Sequence, residues 1–173
     1  EHSEAAMTVA APWNVEKLID AAAPNICPFE AFSPPLAPSS PGKEAPGPDT
    51  EIAVVYTSGT TGRPKGCILT NDYALTGGRS YRDIGGALTL RQGQERVYVP
   101  LPAYHMNGGI VTLVTMMLSS NCLIMPDRFH AQTWWEDLAA TRATAMHYLG
   151  VIPPALMAAA PSAADKSHGI RFG

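Results

Sequence analysis

Apolar positions in this chain come in short bursts separated by turn residues, and the spacing inside each burst predicts its element. Ile52 to Tyr56 is an unbroken β-prone run, and Cys67-Ile68-Leu69 is a shorter one. Tyr73, Ala74, Gly77, Tyr81 and Ile84 recur at helical spacing, so a helix is expected from a Thr70 or Asn71 cap to the neighbourhood of Ile84, ended by Gly85-Gly86. Its Gly77-Gly78 pair costs roughly 1 kcal/mol per glycine relative to alanine, which implies tight packing there. Arg96 to Pro102 reads as a buried strand stopped by prolines. Next come an apolar helix over Ile110 to Leu118, a strand over Asn121 to Met125 and an amphipathic helix over His130 to Thr141. A strand over Ala143 to Leu149 and a last helix from Ile152-Pro153-Pro154 to Ala160 complete the series. Nearer the start, Val15, Leu18, Ile19 and Ala22 give a modest helix over Trp13 to Ala22, stopped by Pro24. From Phe29 to Asp49 the prolines at 34, 35, 38, 41, 46 and 48 remove too many N–H donors for a regular element. That segment is a surface linker or a loop wrapping the domain, and both readings stand.

Strands alternating with helices predict an α/β fold, a mostly parallel sheet with flanking helices. Open sheets of this kind bind ligands beyond the carboxyl ends of their strands. Three loops answer that description, 57–66, 102–109 and 149–153, and they are expected to face one cleft.

Composition narrows the field. With 173 residues, 46% of them apolar, the chain can bury one core. A net charge of −3 with scattered lysines and arginines argues against nucleic acid as a partner. Cys27, Cys67 and Cys122 show no metal-ligand spacing and read as small buried hydrophobes in a reducing compartment. The polar, acidic start Glu1-His2-Ser3-Glu4 does not look like a signal peptide, and the apolar stretch Gly108 to Leu118 is too short to span a bilayer. A soluble cytoplasmic protein, or a piece of one, is the expectation.

Chemistry concentrates after the first strand, in Tyr56-Thr57-Ser58-Gly59-Thr60-Thr61-Gly62-Arg63-Pro64-Lys65-Gly66. Glycines there let consecutive backbone N–H groups turn toward one anion, the hydroxyls add donors, and Lys65 adds a compact positive charge. The Walker pattern fails, because Gly59 and Gly62 are too close and Lys65 precedes a glycine. A plain solvated turn is the competing reading of such a cluster. His105 stands out as the histidine between a strand-breaking proline and a glycine pair, although a histidine so placed is often merely structural. Gly150 either leaves volume for a ligand or serves the bend from strand to helix. One of Trp134-Trp135 is expected to pack its helix on the sheet with the other half exposed, and His130, His147 and His168 read as structural.

The string Tyr56 to Gly66 resembles the signature of the adenylate-forming superfamily, which includes acyl- and aryl-CoA ligases, beetle luciferases and peptide-synthetase adenylation domains. The resemblance implies that residues 51–173 are part of the large N-terminal domain of that fold, with residues 1–50 an N-terminal segment carrying the Pro-rich stretch. It implies that Thr57, Ser58, Gly59, Thr60, Thr61, Gly62 and Lys65 hold ATP phosphates. Leu101-Pro102-Ala103-Tyr104-His105 is similar to the family's aromatic-histidine segment. By that likeness His105 contacts the reacting carboxylate or adenylate, and Tyr104, Met106, Asn107, Gly108 and Gly150 belong to the acid's pocket. The run from Phe129-His130 through Trp134-Trp135 and Arg142-Ala143-Thr144 to Asp165 looks most like the carnitine and crotonobetaine CoA ligases.

The implied chemistry is attack of a carboxylate on the α-phosphorus of Mg·ATP, then transfer of the acyl group to CoA. Small-molecule acid, ATP, Mg2+ and CoA are the implied partners, with no metal ligand named in this chain and room for a homo-oligomer. The resemblance covers only part of such an enzyme, so the isolated chain is expected to hold phosphate weakly and not to turn over; Lys65 is not the family's adenylation lysine. A domain loading a carrier protein, a phosphate-binding module without catalysis and a structural fragment are the alternatives.

Overall fold

The computed structural model describes residues 7–10, 12–23, 25–31, 45–57 and 62–173. It falls into two compact units, Glu1–Ala45 and Pro46–Gly173. In the first, strand β1 (Thr8–Ala10) pairs in parallel with β2 (Ile26–Pro28), and helix α1 (Val15–Asp20) connects them. Neither strand was visible as an apolar run. Each is three residues long, and the pairing needs a crossover that spacing does not reveal.

The second unit opens with β3 (Glu51–Thr57) and β4 (Lys65–Thr70), which pair antiparallel as a hairpin. Segment 57–66 therefore joins two antiparallel strands, the second being the run expected over Cys67–Leu69, and does not follow a strand of the parallel sheet as the expectation of one cleft required; Lys65 is the first residue of β4, opposite Thr57. Helix α2 (Asn71–Arg82) begins directly after β4. Thr70 caps it, its hydroxyl accepting the Tyr73 N–H at 3.3 Å. Gly85 and Gly86, with φ of 70° and 60°, turn the chain away after its end.

Strand β5 (Arg96–Tyr98) is central in a parallel three-stranded sheet, flanked by β6 (Cys122–Ile124) and β7 (Ala145–Met146). Phe172 adds a parallel bridge to Ala145. Every residue from Val97 to Leu101 is buried, because the strand and its extension are covered on both faces. On one face Val97, Val99 and Leu101 meet Met116 from helix α3 (Leu113–Leu118). On the other, Tyr98 meets Trp134 and Leu138 of helix α4 (Trp134–Ala140) and Ile152 of helix α5 (Ile152–Met157). Trp134 is fully buried and Trp135 half-buried, as the doubled tryptophan suggested.

The stretch expected as one apolar helix from Ile110 starts earlier, as a π-helix over Asn107–Thr112 that passes into α3. Helix α2 lies against it closely. A Cβ added to Gly78 would fall 2.6 Å from Val114 Cγ1, and Thr115 Oγ1 lies 3.2 Å from the Gly78 carbonyl oxygen. Tight packing at Gly77-Gly78 is thus seen. The cysteines depart from expectation: Cys67 and Cys122 are exposed and Cys27 half-buried. Cys67 lies on a hairpin with little covering it, and Cys122 on an edge strand. No helix among the described residues is long and apolar enough to cross a membrane.

Candidate functional site

The first predicted loop joins β3 to β4. Ser58, Gly59, Thr60 and Thr61 lie outside the described residues. Around them, Thr57 and Lys65 form the last pair of the hairpin, and both are exposed. Gly62 has a φ of +79° with nothing near the position a Cβ would take, so the backbone conformation calls for glycine there. Arg63 and Lys65 are likewise exposed, bringing two positive charges to the tip.

The second loop is shaped by the way the sheet hands the chain to the π-helix. The His105 N–H donates to the Pro102 carbonyl at 3.0 Å, and the Gly109 N–H donates to the His105 carbonyl at 2.9 Å. The helix can begin this close only because Gly108 and Gly109 have no side chains. A Cβ on Gly108 would sit 3.0 Å from Leu101 Cβ and 3.1 Å from the Leu101 and Pro102 carbonyl oxygens. One on Gly109 would run into the Ala103 carbonyl oxygen. Gly108 is buried by this contact, so its place is explained by packing. His105 itself is exposed, and its Nδ1 accepts the Asn107 N–H over a long 3.4 Å. That bond puts the neutral ring's proton on Nε2, which is then a hydrogen-bond donor. Tyr104 is 83% exposed, whereas Met106 and Asn107 are half-buried. The Tyr73 hydroxyl, in the first turn of α2, donates to Met106 Sδ at 3.2 Å.

In the third loop Gly150 is exposed, has no positive φ, and would meet nothing within 4 Å if it carried a Cβ. Backbone geometry therefore gives no reason for glycine here, which favours the open-volume reading over the bend. The second and third loops are joined below by a contact the sequence did not disclose. His147, at the end of β7, bonds Thr112 of the π-helix through Nδ1 at 2.8 Å and lies against the Tyr81 ring at 5.4 Å between centroids. His147 and Thr112 are 35 residues apart, and no spacing signal spans that distance. The hairpin tip is reached by a different route. Lys65 is one end of β4 and Thr70 the other, about 17 Å apart at ordinary strand rise, before α2 leads to Tyr73 and Met106.

Chemically, the arrangement offers two cations at a glycine-bearing tip, an exposed imidazole N–H, and open volume at Gly150. That suits an anion and a carboxylate better than a metal. Among the described residues no three His, Cys, Asp or Glu side chains gather closely enough to hold a metal ion. His130 is held by Asp127 at 2.8 Å, and His168 stacks on Trp135 at 5.0 Å, so both have structural partners.

Comparison with known proteins adds a family and a fold. The family model for AMP-binding enzymes matches residues 2–172. A sulfoacetate–CoA ligase from Cupriavidus necator is 36% identical over 111 residues, which are 62% of this chain and 20% of that protein. A medium/long-chain-fatty-acid–CoA ligase from Mycobacterium tuberculosis is 32% identical over 117 residues, 68% of this chain and 19% of that protein. The chain thus spans about a fifth of the length of these relatives. Among solved structures, the inhibitor-bound N-terminal domain of FACL13 from Mycobacterium tuberculosis superposes with a TM-score of 0.77 at 18% identity, covering 97% of this chain and 43% of that one.

Proposed function

Since the chain belongs to the AMP-binding enzyme family, we propose that the protein it represents activates a carboxylic acid as an acyl-adenylate at the expense of ATP and passes the acyl group to CoA. The observation that carries this reading is the tip between Thr57 and Lys65, where the glycine conformation at Gly62 and the charges of Arg63 and Lys65 meet in an exposed bend. The relatives with CoA-ligase activity in their names support the acceptor.

A carboxylate is a weak electrophile, and adenylation gives it a good leaving group. In the proposed division of labour, Thr57, Ser58, Gly59, Thr60, Thr61, Gly62 and Lys65 hold the β- and γ-phosphates. Their amides, hydroxyls and charge oppose the negative charge that builds on the departing pyrophosphate. His105 presents Nε2–H to an oxygen of the acid, fixing it for attack on the α-phosphorus. Tyr104, Met106, Asn107 and Gly108 flank that oxygen, and the space over Gly150 admits the acid's body. Magnesium would come with the nucleotide, since it keeps several waters and binds mainly through phosphates, and the described residues offer it no cage. Within the family we place the chain nearest the carnitine and crotonobetaine CoA ligases, on the run from Phe129 to Asp165.

The test is ATP–pyrophosphate exchange. The 173-residue chain alone should not catalyse it at the rate of an intact ligase. In the protein that contains this chain, Lys65→Ala should slow exchange about 100- to 1,000-fold, the loss expected for one preorganised donor. Unchanged exchange in that variant would remove the phosphate role from the hairpin tip.

A further inference from the structure

Between α2, the π-helix with α3, and the edge of the sheet lies a cavity of about 160 Å³, walled by Tyr81, Leu90, Val97, Met116, Met146 and Phe172. Into this apolar wall come two threonines and His147. Both threonine hydroxyl protons are engaged: Thr112 donates to the Asn107 carbonyl at 2.7 Å, and Thr115 to the Val111 carbonyl at 2.8 Å. Thr112 Oγ1 therefore acts as acceptor in its 2.8 Å contact with His147, and the proton between them belongs to Nδ1. Burial lowers the His147 pKa, which keeps the ring neutral at pH 7. A neutral ring with its proton on Nδ1 has a bare lone pair on Nε2, and among the described residues no hydrogen bond to that atom is seen. Largely apolar walls with such a ring acceptor fit a compact hydrocarbon body that carries an O–H or N–H.

Position ties the cavity to the candidate site. His105 lies just before the π-helix whose last residue is Thr112, so their backbones are on the order of 10 Å apart along the helix at helical rise. Building on the acid-activation reading, we propose that this cavity receives the far end of the acid and that His147 selects there for a hydrogen-bond donor, a hydroxyl or an amide N–H, over plain hydrocarbon. The carboxylate end then lies toward His105 and the donor end toward His147.

The experiment uses the chain with isotope-labelled histidine rings, observed by nitrogen NMR. A cavity of this size is comparable with one of about 150 Å³ that takes benzene, so phenol, toluene and anisole are suitable probes. Phenol should move the His147 Nε2 resonance, and its advantage over toluene should fall about fivefold in His147→Leu, the worth of one neutral hydrogen bond. Thr112→Val removes the acceptor that holds the proton on Nδ1. The proton can then sit on Nε2, and preference should pass from phenol to anisole, which a merely structural role for His147 would not produce. Finally, ω-hydroxyhexanoate should perturb His147 and His105 together and bind about fivefold more tightly than heptanoate, its near-isostere.

Equal binding of phenol and toluene to the unaltered chain would overturn the proposal. So would acids that perturb His147 while leaving His105 silent. Failure of the adenylation reading looks different: acids would bind with the donor preference intact, yet the protein containing this chain would show no ATP–pyrophosphate exchange.

Discussion

The sheet centred on β5 and the hairpin of β3 and β4 are built from equally apolar residues, yet they are treated in opposite ways. Val97, Tyr98 and Val99 are 5%, 2% and 0% exposed, whereas Val54, Tyr56 and Ile68 on one hairpin face are 53%, 42% and 56% exposed. The first group is clamped between α3 on one side and α4 with α5 on the other. The second has Leu69 buried on its opposite face and little over its own. Apolar content predicts that a strand forms, but only its neighbours decide whether it contributes to the core. Stability should reside in the sheet, with little of it in the hairpin.

The largest effect should come from emptying the clamp. Trp134 is fully buried, packed edge-on against Tyr98 and Phe129, each with ring centroids 5.4 Å away. Trp134→Ala should cost about 3–5 kcal/mol in urea unfolding. A cost below about 1 kcal/mol, no more than an average substitution, would mean that the sheet is not where stability lies. Next comes Gly109→Ala, whose methyl would strike the Ala103 carbonyl and push the π-helix from the sheet. A loss of about 2–3 kcal/mol is expected, with His105 losing its bond from Asn107. Retention of the His105 ring signals in that variant would show the helix start to be pliable.

A smaller effect belongs to the rim of the sheet. Burial alone would raise the Glu95 pKa. Hydrogen bonds from Arg91 and Thr144, the latter at 2.5 Å, and the charge of Arg171 instead bring it from 4.5 down to about 2. A carboxylate whose folded pKa lies below its unfolded one stabilises fully above pH 4.5, and that contribution fades as pH falls toward 2. Glu95→Gln should therefore cost about 2 kcal/mol near neutrality, less than a fully buried pair because both arginines reach solvent. The two pH–stability curves should converge between pH 4.5 and 2. Parallel curves over that range would show that Glu95 is not the titrating group.

Local signals were the legible ones. The cap at Thr70, the packed Gly77-Gly78 pair, the unequal tryptophans and the buried strand at Val97 each depend on a residue and its near neighbours, and each is found. The glycines and hydroxyls of segment 57–66 and the apolar run Cys67–Leu69 after it were equally plain, but composition does not decide which strand that run pairs with. The antiparallel return through Lys65 comes from pairing Val54 with Ile68 and Val55 with Cys67, a choice made between segments. For the same reason the exposure of Cys67 and Cys122 could not be read, since it depends on which sheet face is covered. The contact of His147 with Thr112 was hidden because each residue is unremarkable alone and meaningful only once β7 lies beside the π-helix.

The hairpin supplies the smallest expected change and the sharpest contrast with Trp134. Ile68 stands opposite Val54 on the uncovered face, and both are more than half exposed. Threonine keeps the branched shape that suits a strand while replacing a methyl-bearing arm by a hydroxyl that water can reach. Ile68→Thr and Val54→Thr should each shift stability by no more than about 0.5 kcal/mol, as surface substitutions do. In the same chain, then, two apolar strands would differ severalfold in what a core-directed and a face-directed substitution cost. A loss of about 2 kcal/mol or more at Ile68, the scale of a buried side chain, would show this face to be covered in solution, and the division between a stabilising sheet and a hairpin that adds little would fall.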